Sequence, residues 1–195
     1  MLYLVRGKSV TDVHKVFVSF YHDEDQEYKD KFERMCKDVI VSKSIQPGDI
    51  YTDTNTERVM QRIRDEYLKD STVTVVLIGQ HTWQRKYVDW EIYSSLRLTP
   101  TTLRSGLLGI LLPTRQDYNQ KHYEKCTVPP RLYYNNLKNN NAEPYAIVYN
   151  WTNEPSKIQN WIDRAFSVRY SYTPNLSFDR YGRNHTTSSW CNGIR

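Results

Sequence analysis

Val73-Thr74-Val75-Val76-Leu77-Ile78 is an unbroken run of β-branched and aliphatic residues that stops at Gly79-Gln80. A strand with one wet face alternates apolar and polar residues. A run without alternation fits a central parallel strand buried on both faces. Upstream, Val59, Met60, Ile63 and Tyr67 recur at helical spacing, with Arg58, Arg62 and Asp65 on the opposite side. Thr54 and Glu57 form a capping-box pattern in front of them. Downstream, Val88, Ile92 and Leu96 lie four apart, predicting a helix over 84–98. The central strand thus sits between two amphipathic helices.

The same rhythm continues in both directions. Val16-Phe17-Val18-Ser19-Phe20 reads as the first strand. Asp23 and Gln26 resemble a capping box for a helix carrying Tyr28, Phe32, Met35, Cys36, Val39 and Ile40 on one face. Pro47-Gly48 breaks the chain, and Asp49-Ile50-Tyr51 is at most a short second strand. Leu107-Leu108-Gly109-Ile110-Leu111-Leu112 is a fourth strand ended by Pro113, and Ala146-Ile147-Val148-Tyr149 is a fifth. Pro155 opens a last helix bearing Ile158, Trp161, Ile162 and Ala165. Residues 1–14 read as an N-terminal extension and 15–168 as the domain. Residues 114–144 read as a polar, irregular insertion, and 169–195 as a basic, aromatic, turn-rich tail.

Strands alternating with helices imply βαβ units: an α/β, flavodoxin-like domain with a five-stranded, mainly parallel sheet flanked by helices. In such sheets the ligand crevice lies beyond the carboxyl ends of the strands. Residues 20–25, 51–55 and 79–83 converge there. With 195 residues, one domain plus decoration is expected. The chain is only 38% hydrophobic but 13% aromatic, with 16 Tyr, and a tyrosine buries its ring while keeping a polar tip.

Several function classes drop out. No G-x-G-x-x-G follows a strand and no G-x-x-x-x-G-K occurs, which argues against Rossmann hydride transfer and P-loop phosphate chemistry. A phosphorelay receiver needs an Asp ending the third strand, where this chain has Gly79-Gln80. Cys36, Cys126 and Cys191 are odd in number and lack metal-type spacing, which argues against a disulfide framework and a zinc site. The His22-Asp23-Glu24-Asp25 cluster reads as the acidic start of a helix before it reads as a cation site, so no metal is expected. No run approaches membrane-spanning length, and a reducing cytoplasm is the default expectation. The net charge is +5, and the four Arg and one Asp after residue 168 leave the tail with a surplus of basic charge. That surplus is not clustered, so a solvated tail is expected ahead of a nucleic-acid contact.

A resemblance adds a function. Val16 to Tyr21, Val-Phe-Val-Ser-Phe-Tyr, resembles the opening strand of Toll/interleukin-1 receptor (TIR) domains. From Val73 to Ile92 the match is more specific. There Val76-Leu77-Ile78-Gly79, Thr82-Trp83, Arg85, Tyr87-Val88 and Trp90-Glu91-Ile92 resemble the TIR-like subfamily that includes the NAD-consuming protein of the Thoeris anti-phage system. The stretches at 49–68 and 71–74 look similar too, and the resemblance covers roughly residues 15–168. It implies cleavage of the nicotinamide–ribose bond of NAD, with some members cyclising the ADP-ribose product into a signal. The family's catalytic glutamate lies on the helix after the third strand, four residues beyond an aromatic. That position is Glu91 here, with Tyr87 where the family more usually has Trp.

The implied enzyme is an NAD nucleosidase or ADP-ribosyl cyclase in which NAD is substrate and no further cofactor is needed. Nicotinamide in NAD is already a cationic leaving group, and the transition state is oxocarbenium-like, so a single carboxylate can stabilise it. Tyr87 and Glu91 are i and i+4 and share one helix face. Phe20, Tyr21, His22, Asp53, Trp83 and Tyr87 are the expected substrate-binding residues beside catalytic Glu91. The implied partner is a separate effector protein that senses the product, with a homo-oligomer and a phage-derived trigger left open. The rival reading is a TIR interaction module without chemistry, since fold does not fix function.

Overall fold

The computed structural model describes residues 13–45, 55–100, 102–138 and 143–192. The apolar runs become β1 (His14–Ser19), β2 (Ile40–Lys43), β3 (Val73–Ile78), β4 (Gly106–Leu111) and β5 (Ala146–Asn150). The helices are α1 (His22–Cys36), α2 (Thr56–Arg62), α3 (Lys86–Leu96), α4 (Pro130–Asn135) and α5 (Pro155–Ser171). Short 3-10 turns stand at Thr82–Gln84, Lys125–Thr127 and Trp190–Asn192, and Ile63–Leu68 continues α2 with π-helical geometry.

The strands form one sheet in the order β2-β1-β3-β4-β5, parallel at every pairing. β3 is central and buried at all six positions, as its sequence requires. Period-two alternation sorts its neighbours into two layers. Val16, Val18, Val75, Leu77, Leu108 and Ile110 pack with Phe32 of α1 and Ile158 and Ile162 of α5. On the other face, Val76, Ile78, Leu107 and Leu111 meet Val88, Ile92 and Leu96 of α3 and Leu132 of α4, while Phe17 meets Val59 and Met60 of α2. Gly106 permits the closest approach: a Cβ there would lie 2.0 Å from the Ala165 carbonyl oxygen of α5.

Several expectations need correction. α1 ends at Cys36, and Ile40 begins β2, which pairs with β1 from His14↔Ile40 onward. The β-branched pair Ile40-Val41 continues the helical spacing by coincidence; the turn at 37–39 resets the chain. The expected short strand at 49–51, together with Thr54, lies outside the described residues. The cap of α2 is Asn55, whose Oδ1 accepts from the Arg58 N–H at 3.2 Å. Asp23 does not cap α1: the N-cap is Tyr21, without a side-chain bond, and Gln26 donates to Asp30 at 2.8 Å.

The polar stretch after β4 is not irregular throughout. Pro129-Pro130 starts α4, which buries Leu132 and Arg131. The three cysteines are not all free: Cys126 and Cys191 form a disulfide with Cα atoms 5.4 Å apart, leaving Cys36 as the buried free thiol. Spacing cannot reveal such a pair, because the fold brings its members together across 65 residues.

The tail is not a solvated arm. Tyr181 and Trp190 are buried, and the backbone of 178–181 and the Asn184 side chain bond to residues of α3 and α4. Asp89 and Arg131 form a fully buried ion pair at 3.0 Å that organises this segment. Arg131 donates to the Phe178 carbonyl at 3.0 Å, and Asp89 accepts the Tyr181 N–H at 3.0 Å. Trp90 Nε1 donates to the Tyr181 carbonyl at 2.8 Å, and Trp190 Nε1 to the Val128 carbonyl at 2.8 Å. Buried charges persist when both partners and their spare hydrogen-bonding capacity are satisfied, as they are here. Among the described residues, no helix is long and apolar enough to cross a membrane.

Candidate active site

The sheet order reverses between β1 and β3, so a crevice opens beyond the carboxyl ends of those two strands. A cleft of about 240 Å³ lies there, lined by Phe20, Tyr21 and His22 after β1 and by Arg85, Tyr87 and Glu91 around the start of α3, with Asp23, Val88 and Asn184 completing it. The rings of Phe20, Tyr21 and Tyr87, the His22 imidazole and the carboxylates of Glu91 and Asp23 therefore face the same small volume. At about 240 Å³ it falls just short of the roughly 300–1,000 Å³ of typical small-molecule sites. It suits one end of a larger ligand.

Glu91 is 3% exposed, although an acid in the middle of a helix is ordinarily solvated. α3 explains this. Sandwiched between the sheet, α2, α4 and the tail, it buries every residue from Val88 to Leu96 except Tyr93. Glu91 points toward the end of β1, where Ser19 Oγ donates to Oε2 at 2.5 Å. That bond fixes the carboxylate's orientation at the floor of the cleft.

The aromatic residues differ in placement. Phe20 is 3% exposed yet still presents surface to the cleft, and its ring lies 4.1 Å from that of His22. The Arg85 guanidinium covers the Tyr21 ring at 3.9 Å. Burial pushes the Tyr21 hydroxyl above its usual pKa, helped by a hydrogen bond with Asp23. Tyr87 stands edge-on to Trp90 at 5.3 Å, one turn before Glu91. Burial also lowers the His22 pKa, so its ring is neutral near pH 7. Trp83 is elsewhere: 1% exposed, it packs with Cys126 and Trp190 and is not part of this cleft. Asp53 lies outside the described residues.

Beneath the cleft is a buried polar joint that sequence reasoning missed. Asp25 is fully buried, and Thr82 Oγ1 donates to its Oδ2 at 3.0 Å while accepting the Gly79 N–H at 2.8 Å. Burial raises the Asp25 pKa from 3.8 to about 6. Gly79 has to lack a side chain, because a Cβ would sit 2.2 Å from Asp25 Oδ1. His81 adds a second tie between the same loop and α1, 2.8 Å from Glu24. The β3–α3 loop is thereby locked to the first turn of α1, which holds the two walls of the cleft together. Among the described residues, no cluster of His, Cys, Asp and Glu is arranged to hold a metal ion.

Ser19, Arg85 and Asn184 were not among the expected site residues. A serine closing a strand at the ligand edge was a usable signal for Ser19, and Arg85 stood inside the quoted motif. Nothing near Asn184 in the sequence marks it, because a tail contact depends on the whole fold.

The parallel order β2-β1-β3-β4-β5, with a buried glutamate at the switch between β1 and β3, defines a TIR-like α/β domain. A family model described as Thoeris protein ThsB, TIR-like domain, matches residues 17–117. The match spans over half of the chain, and the chain belongs to that family. It includes Ser19, Tyr21, Arg85, Tyr87 and Glu91 and stops short of the tail. A comparison with curated proteins returned no match.

Proposed function

We propose that the cleft binds NAD and that Glu91 acts at the nicotinamide–ribose bond, releasing nicotinamide and forming an ADP-ribose-derived, cyclic signal in anti-phage defence. The observation that carries this reading is the buried Glu91 carboxylate, oriented by Ser19 at 2.5 Å, facing a cleft walled by Phe20, Tyr21 and Tyr87.

The chemistry asks little of the protein beyond that arrangement. As the C–N bond breaks, its electron pair leaves with nicotinamide, which becomes neutral, and positive charge develops on the ribose. A fixed carboxylate placed near that charge stabilises the transition state more than the ground state. The same carboxylate accepts hydrogen bonds from ribose hydroxyls, and the rings supply flat apolar surface for the departing base. An aromatic cleft also limits water at the oxocarbenium centre, favouring capture by a group of the substrate itself over hydrolysis. The proposed partner is an effector protein that senses the released product.

The test is product analysis. The protein is incubated with NAD, alone and with lysate from phage-infected cells as activator, and products are separated by chromatography and weighed by mass spectrometry. Nicotinamide together with a product lighter than ADP-ribose by one water supports the cyclase. ADP-ribose alone restricts the activity to hydrolysis. Unchanged NAD under both conditions rejects the enzyme and favours an assembly module.

A further inference from the structure

We infer that Asn184, carried into the cleft by the C-terminal segment, is a substrate-positioning residue that donates its side-chain amide to an oxygen of the ligand's diphosphate. This inference rests on the NAD reading of the cleft.

Asn184 lines the same cleft as Glu91 although 93 positions separate them in the chain. Its placement is built rather than incidental. Asn184 Oδ1 accepts the Lys86 N–H at 2.9 Å at the start of α3, and the next residue, His185, donates its backbone N–H to the Gln84 carbonyl at 2.9 Å. Gln84 Nε2 returns a bond to the Thr187 carbonyl at 3.0 Å. On one side of these contacts the segment is anchored by the buried Asp89–Arg131 pair, and on the other by the Cys126–Cys191 disulfide. A segment held at both ends and bonded in between presents its side chains reproducibly, as a binding wall must.

The acceptor half of the Asn184 amide is committed to Lys86. Its Nδ2 makes no hydrogen bond among the described residues, so the group left for a ligand is a donor. The neighbouring Arg85 agrees with this. Its Nε is buried and has no hydrogen-bond partner among the described residues, while its guanidinium lies over Tyr21 on the same cleft wall. The cleft therefore carries two kinds of polar group. Glu91, held by Ser19, suits hydroxyls and developing positive charge. Arg85 and Asn184 supply donors for anionic oxygens, with the Asp23 carboxylate of the same lining engaged by the Tyr21 hydroxyl, and a nucleoside diphosphate attached through ribose uses both kinds.

Asn184→Asp isolates the donor. It keeps an acceptor for the Lys86 N–H, so the tail stays anchored, and replaces only the amide N–H group by an oxygen. Because it also adds a charge, Gly182→Asp serves as the control: a Cβ at Gly182 would meet nothing within 4 Å, and the same charge enters the same segment two residues away. Binding of ADP-ribose to each protein is measured by calorimetry, with melting temperatures alongside and nicotinamide release from NAD assayed separately. The expected result is a Kd raised at least about tenfold in Asn184→Asp, as loss of a hydrogen bond to a charged group predicts. Gly182→Asp stays within about twofold of wild type by the same measure, and neither variant melts differently. Equal binding by Asn184→Asp and wild type overturns the inference. So does an equal loss in Gly182→Asp, which would reduce the effect to charge alone, and so does failure of wild type to bind ADP-ribose. Wild type that binds ADP-ribose with this Asn184 dependence but never releases nicotinamide supports the inference and rejects the enzymatic reading instead.

Discussion

Gly79→Ala should destabilise this protein far more than a single methyl group suggests, and removing Asp25 should rescue it. The added Cβ would lie 2.2 Å from Asp25 Oδ1, 2.4 Å from Oδ2 and 2.6 Å from Cγ. No real Cβ tolerates those distances, so the carboxylate must leave its site. Leaving breaks its 3.0 Å bond from Thr82 and disturbs the Gly79–Thr82 contact that shapes the β3–α3 loop. Overpacking of a tight site costs about 1–3 kcal/mol, and loss of a buried hydrogen bond to a carboxylate adds about 1.5–3 kcal/mol. The expected total is about 2.5–6 kcal/mol, a large part of a typical domain's stability. Asp25→Ala opens the space, so adding Gly79→Ala to it should cost under about 1 kcal/mol. Urea melts followed by circular dichroism, analysed as a double-mutant cycle, measure this directly. Additive costs in the double variant would refute the close contact, and with it the joint that locks the β3–α3 loop to α1.

Three further outcomes follow from particular contacts. Burial lifts the Asp25 pKa from 3.8 to about 6, so the folded protein holds this proton more tightly than the unfolded chain. The associated stability is full below pH 4 and declines as pH rises through about 6, so Asp25→Asn should gain about 3 kcal/mol relative to wild type between pH 4 and 7. A constant difference across urea melts in that range would contradict the assignment. Asp89→Ala leaves Arg131 as a buried, unpaired cation and removes the acceptor of the Tyr181 N–H, and it should cost about 3–5 kcal/mol by the same melts. Arg131→Met alongside it should recover part of that loss. Cys126→Ser opens the link across 65 residues and should lower stability by about 2–4 kcal/mol. A reducing agent should lower the wild-type melting temperature and leave that of the variant unchanged.

The parallel α/β topology was legible from four of its five strands because parallel strands buried on both faces need continuous apolar runs, which β3 and β4 display plainly. β2 was hidden because Ile40 happens to extend the apolar face of α1. α4 was hidden because its sequence reads Arg131-Leu132-Tyr133-Tyr134-Asn135, with polar ends on most of its side chains, buried Arg131 and Asn135 included. The tail was illegible for a different reason. It docks through backbone carbonyls at Phe178, Asp179 and Tyr181, and a backbone atom looks the same in every sequence. At the site, Tyr87 and Glu91 shared a helix face by spacing alone. The burial of Glu91 and its bond from Ser19 required β1 and α3 to be placed together. Trp83 looked like a ligand platform because it sits in the right loop, but the tail supplies Trp190 as its packing partner instead.

The central claim is that Glu91 is a catalytic carboxylate rather than a buried acid satisfied by Ser19. Glu91→Gln keeps the shape and an acceptor for the Ser19 hydroxyl while removing the negative charge, so the fold should melt within a few degrees of wild type. Nicotinamide release from NAD, measured for both proteins under the same activating conditions, should fall by about 100-fold or more in the variant, the scale expected for loss of one transition-state electrostatic contact. Equal release from the two proteins would contradict the account.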